Sequence, residues 1–132
     1  MIVQYRNNQD KSDPQNGAIF AASTTLSGLL DNVRRRRPFI AELRGDNGFE
    51  LVIGIGGDIG FVEHRRIDGD LPYLMARSAH PPMKTGDVEF LTANTPTPIV
   101  ARYILSFEEL KEIASHFLAT GERSDSVAWE EI

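Results

Sequence analysis

The sequence predicts an α+β fold, an antiparallel meander sheet with an N-terminal and a C-terminal helix packed on one face. Three observations predict it. Leu26, Leu29, Leu30 and Val33 recur at helical spacing early in the chain. From Phe39 to Leu105 the pattern changes to short apolar runs divided by Gly, Asn, Asp and Pro, which is how strands and turns read. Ser106-Phe107-Glu108-Glu109 then opens a second amphipathic segment, with Phe107, Leu110, Ile113, Ala114, Phe117 and Leu118 on one side. Helices that flank a block of strands, rather than alternate with them, pack on one face of an antiparallel sheet.

Each element follows from local chemistry. Met1 to Tyr5 is expected as an edge strand, and the polar, turn-rich Asn7 to Gly17 as a mobile loop. The first helix begins near Ser23 or Thr24, whose hydroxyls can cap free N–H groups. Arg34 to Arg37 bring positive charge to its C-terminus, and Pro38 stops it. Strands are expected at Phe39 to Leu43, Phe49 to Ile55 and Ile59 to Ile67, with a short one around Tyr73 to Ala76. The turns between them are Gly45-Asp46-Asn47-Gly48, Gly56-Gly57-Asp58 and Asp68-Gly69-Asp70. The prolines of His80 to Gly86 keep that segment out of a central strand. Val88 to Leu91 and Ile99 to Leu105 read as two further strands around a Pro-containing turn, Asn94 to Pro98. Ser106 and Glu109 form a capping box for the last helix, and Gly121 suits its left-handed end. Trp129 lies in an acidic tail and is expected to dock that tail onto the body.

Composition narrows the function. At 132 residues the chain is expected to be one domain spanning 1–132. It has no cysteine, so a disulfide framework, a thiolate nucleophile and Cys-ligated metal are excluded. The start, MIVQYRNNQD, does not read as a signal peptide, and no apolar run reaches the ~20 residues of a membrane span. A cytoplasmic, membrane-free protein is expected. The net charge of −5 argues against direct nucleic-acid binding. Charge is also uneven: Met1 to Arg37 holds six basic and three acidic residues, whereas Glu108 to Ile132 holds seven acidic and two basic ones. Such a difference suits a basic partner meeting an acidic face.

The remaining motifs have ordinary readings. The cluster Gly54-Ile55-Gly56-Gly57-Asp58-Ile59-Gly60 puts isoleucine where a dinucleotide loop needs its last glycine, and no helix follows; it reads as a hairpin turn. Four consecutive arginines spread around a helix rather than forming a flat patch, so Arg34 to Arg37 read as helix-end solvation. His64, His80 and His116 lack metal-ligand spacing. Glu42, Glu50 and Glu63 could converge across adjacent strands, which on a solvated sheet face is a common coincidence. No Gly-x-Ser-x-Gly elbow or Walker loop is present. No catalytic residue, metal site or cofactor is assigned, and the chain is read as a binding protein rather than an enzyme.

Three C-terminal segments carry a resemblance: Leu105-Ser106-Phe107-Glu108-Glu109-Leu110, His116-Phe117-Leu118-Ala119-Thr120-Gly121-Glu122-Arg123, and Val127-Ala128-Trp129-Glu130-Glu131-Ile132. Together with Gly86-Asp87-Val88-Glu89-Phe90, they resemble the first-numbered immunity-protein family of bacterial polymorphic toxin systems. Family members commonly carry proline after the Arg-type residue, where this chain has Ser124. The resemblance implies a cytosolic antidote that binds and blocks a cognate toxin domain, often a nucleic-acid deaminase. Such toxins are basic around their substrate cleft because phosphate binding demands it, and an acidic binder can occupy that cleft. Acidic residues at turns and strand ends then become the candidate partner-binding residues: Glu63, Asp68, Asp70 and Asp87. A protein-interaction or regulatory subunit with a different partner is the alternative, and an enzyme using strand carboxylates the third reading.

Overall fold

Val52 decides how the chain packs. It stands between Leu51 and Ile53, so this strand is apolar on both sides and both must be covered. In the computed structural model, which describes residues 1–132, the elements run β1 (Val3–Asn7), β2 (Ile19–Phe20), α1 (Ser23–Val33), β3 (Phe39–Gly45), β4 (Phe49–Gly56), β5 (Ile59–Arg66), β6 (Leu74–Arg77), β7 (Asp87–Thr92), β8 (Thr95–Val100), β9 (Leu105–Ser106), α2 (Phe107–Thr120) and β10 (Ala128–Glu131). β3 to β6 form the expected antiparallel meander, inside a sheet ordered β10-β6-β5-β4-β3-β1-β2. The fold is α+β with both helices on one face, as the pattern predicts.

Strand register sorts the side chains. Ile53 pairs with Ala41 and Val62, and Leu51 with Leu43 and His64, so these point to the helix face. There they meet Leu26, Leu30 and Val33 of α1 and Leu110, Ile113 and Phe117 of α2 in the main core. Val52 pairs with Glu42 and Glu63, and Gly54 with Ile40 and Phe61, on the opposite, open face. The β7–β8 hairpin folds over part of that face, and Phe90 joins Val52, Phe61, Met75 and Ile104 in a smaller core. Phe61 and Phe90 meet edge to face, 5.1 Å between centroids. Gly54 makes room for them: a Cβ there would lie 2.2 Å from the Phe61 ring and 2.9 Å from Phe90.

α2 is built as its sequence reads. Ser106 Oγ accepts from the Glu109 N–H at 3.1 Å, Glu109 Oε1 accepts from the Ser106 N–H at 3.0 Å, and Gly121 closes the helix at φ 77°. α1 starts at Ser23, but no hydroxyl caps it. Its N-cap is Ala22, and Thr25 Oγ1 instead donates to the Ala22 carbonyl at 2.8 Å.

Several expectations need correction. β1 is not an edge strand, because the two-residue β2 pairs outside it. The Asn7 to Gly17 loop is pinned rather than mobile: buried Asp13 accepts from Tyr5 Oη at 2.7 Å and Asn7 Nδ2 at 3.0 Å. Burial alone would raise the Asp13 pKa, but these bonds, the Gln15 N–H and nearby Arg36 hold it below the usual carboxylate range. Two of the four arginines are tethers as well as helix-end charge. Arg34 donates to the Gly57 carbonyl and Asp58 and lies 3.7 Å over the Phe107 ring, while Arg36 donates to Asp10 at 2.8 Å. The turn expected at Asn94 to Pro98 is tighter and earlier. Ala93 and Asn94 take positive φ, and Pro96 and Pro98 lie within β8, whose outer edge needs no donors. Ile99 to Leu105 is not one strand, since a 3-10 turn at Ala101–Tyr103 interrupts it. The C-terminal tail is itself a strand, β10, paired with β6.

Two stability predictions follow from the packing. Gly54→Ala should lower the urea midpoint by an amount equivalent to roughly 1–3 kcal/mol, since two buried rings would have to shift; an unchanged midpoint would show that they move aside freely. Asp13→Ala should cost roughly 3 kcal/mol by leaving the Tyr5 hydroxyl and Asn7 amide without their acceptor. Equal unfolding curves for wild type and variant would contradict the buried-acceptor role.

Candidate functional site

The open face is built from three zones. At the end near β1, register places Glu42 and Arg44 of β3, Glu50 of β4 and Arg65 of β5 side by side. Glu50 is buried and accepts from Arg44 Nε at 3.1 Å and Arg65 Nε at 2.8 Å, and Arg65 also lies 3.5 Å from Glu42. These carboxylates do converge across strands, but as an ion-pair ladder and not as a solvated face.

The middle zone is a groove of about 360 Å³. Ile40, Val52, Phe61 and Met75 line its sheet side, and Ile99, Val100 and Tyr103 its hairpin side. Val100 and Ile132, both lining it, are among the few large apolar side chains left exposed, at 49% and 56%. Glu63 lines the groove too. Its carboxyl pKa is raised, because burial disfavours the charge and Glu50 adds repulsion, with Arg65 opposing. The third zone is the rim at β10, where Glu130 is held by Arg102 at 2.7 Å and Arg77 at 3.2 Å.

The structure places the four sequence-derived candidates unequally. Glu63 lies in the groove, and Asp87 opens β7 opposite the groove residue Val100. Asp68 and Asp70 sit in the β5–β6 turn. Asp68 borders a separate depression with Asn47, Gly48 and Phe49, and Arg66 donates to it at 2.7 Å. That hydrogen bond holds the Asp68 carboxyl below its usual range. Asp70 is exposed, and its N–H donates to Asp68 Oδ1 at 2.9 Å. The apolar lining was missed in the sequence, although β4 signalled it by being apolar at both parities.

A second cleft, about 610 Å³, opens on the other side of the sheet between Phe49, His64, Trp129 and the Gly121 to Asp125 turn. β10 brings Trp129 opposite Ala76, half-buried against the main core, and its Nε1 donates to the Ser124 carbonyl at 2.7 Å. Ser124 is itself buried and donates to Glu112 at 2.8 Å. The His64 ring stacks on Phe49 at 5.0 Å and meets Phe117 and Trp129 edge-on, each at 6.1 Å. Burial, with Arg123 nearby, lowers its pKa from 6.5 to about 4, so the imidazole is neutral at pH 7. The unfolded chain therefore takes up this proton first as pH falls, and stability is lost between about 6.5 and about 4. Unfolding free energy measured across that window should fall for the wild type and fall less for His64→Phe. Parallel curves would remove His64 as the titrating group.

No group of three His, Cys, Asp or Glu side chains is placed to hold a metal ion. No helix is long and apolar enough to cross a membrane. Residues 18–131 match the family model described as Immunity protein Imm1, which spans both helices and all strands but β1. No curated protein matches the chain.

Proposed function

We propose that this chain, which belongs to the Imm1 immunity protein family, neutralises its cognate toxin by laying its open sheet face against the toxin's basic substrate cleft. The toxin class proposed is a nucleic-acid deaminase, acting in competition between bacteria, with the immunity protein in the cytoplasm. The observation that carries the reading is the open face itself, where helices cover one side of the sheet only and the other combines an apolar groove with acidic residues. A nucleic-acid-acting toxin must be basic where it binds phosphate; arginines match Glu42, Glu50 and Glu130 of this face, and the acids left to oppose that basic charge are Glu63 and Asp87. Area is sufficient. The chain exposes 6764 Å², of which a standard interface of ~800 Å² per partner takes about an eighth.

Within this reading Glu63 and Asp87 belong to the groove side of the interface, and Asp68 and Asp70 extend it toward the β5–β6 turn. Their roles differ. Asp68 is already matched by Arg66, so it adds less uncompensated charge than Asp70 or Asp87.

Mixing the purified chain with its cognate toxin domain should give a stable complex and abolish deamination of nucleic acid. No complex at micromolar concentrations would sink the reading and favour a regulatory subunit with another partner. Reversing the charge of Asp70 and Asp87 together should slow association by about tenfold at low salt, with the effect fading at high salt. Association kinetics that do not change at either salt would remove these two acids from the interface.

A further inference from the structure

We propose that the open-face groove is a socket for one basic side chain of the toxin domain, an arginine or lysine whose aliphatic stem lies along Val52, Phe61 and Met75 and whose cation meets the Glu63 carboxylate. The proposal rests on the open face being the toxin interface, and it names the contact that anchors it.

Strand register directs four carboxylates to this face: Glu42, Glu50, Glu63 and Glu130. Glu42 and Glu50 are matched by Arg65 and Arg44, and Glu130 by Arg77 and Arg102. Glu63 differs. It makes no hydrogen bond and no ion pair within the chain, although Val52 flanks it on one side and Met75 on the other. A half-buried charge between apolar neighbours loses hydration without gaining a partner. Its raised pKa has the same physical origin.

The shape selects the ligand. An apolar wall leading to a single carboxylate matches the two halves of a long basic side chain, a hydrocarbon stem and a terminal cation. An acidic side chain would be repelled by Glu63, and a neutral polar one could donate a hydrogen bond but would leave its charge unbalanced. A purely apolar side chain would bury that carboxylate with no compensation. At about 360 Å³, the groove is at the small end for an organic ligand but roomy for one inserted side chain and its flanks. Exposed Val100 and Ile132 can cover those flanks once the partner has docked, excluding water from the ion pair.

The test is a calorimetric titration of the purified cognate toxin domain against wild type, Glu63→Gln, Val100→Asp and a charge-removal control, Glu108→Gln, at an exposed position on α2 away from the groove. Glu63→Gln should keep or raise its thermal midpoint and lose affinity by roughly thirtyfold or more. Val100→Asp should also weaken binding, while Glu108→Gln should match wild type. A Glu63→Lys chain should regain binding to a toxin variant in which one arginine or lysine is changed to glutamate. Wild-type binding with unchanged Glu63→Gln affinity would overturn the socket while leaving the immunity reading intact. Failure of the wild type to bind would instead defeat the broader reading. A stable homodimer that Val100→Asp dissociates would assign the groove to a second copy and would also overturn the proposal.

Discussion

A central strand that is apolar on both sides, in a chain with only two helices, is the constraint from which the rest of the architecture follows. β4 presents Leu51, Ile53 and Ile55 to one face and Val52 to the other. Both helices pack on the first face, where Leu26 and Leu30 of α1 share the main core with Leu110 and Phe117 of α2; Lys111 of α2 also pairs with Asp31 of α1 at 3.0 Å. The second face has to be covered by whatever remains. The β7–β8 hairpin supplies Phe90 and Ile99, the ion-pair ladder closes the end near β1, and the span between them stays a groove.

That incomplete cover links stability to function. Two arginines clamp Glu50 and offset part of the cost of burying it, whereas removing one partner would strand a charge. Glu63 on the neighbouring strand has no such clamp. The same sheet face thus holds one carboxylate satisfied from within and another whose complement lies outside the chain. Binding a basic partner would complete the pairing that folding leaves open, which is the physical content of charge complementarity here.

The fold was legible where sequence chemistry is local. The Ser106–Glu109 capping box, Gly121, the Asn47-Gly48 turn and the leucine spacing of α1 all specify short-range geometry, and they stand as read. Misreadings arose where a distant partner decides. Asn7 to Gly17 has loop composition, yet a buried acceptor at Asp13 orders it through Tyr5, which lies in β1. Pro96 and Pro98 mark a turn in isolation, but an edge strand tolerates both because nothing pairs with its outer side. The acidic tail docks through Trp129 as expected, but that it docks as a strand depends on the edge that β6 offers it. The candidate site was legible in its charges and not in its apolar wall. Acids are visible one by one, whereas a groove exists only after β5, β6 and β8 have been brought together.

Hydrogen exchange of the backbone amides, measured with and without the bound toxin domain, tests the central assignment most directly. Binding should slow exchange in the segments that border the open-face groove, residues 97–103 and 130–132, and leave the solvent-facing turns of α1 and α2 unchanged. Protection confined to the helices, or to the Gly121 to Asp125 turn beside His64 and Trp129, would contradict it.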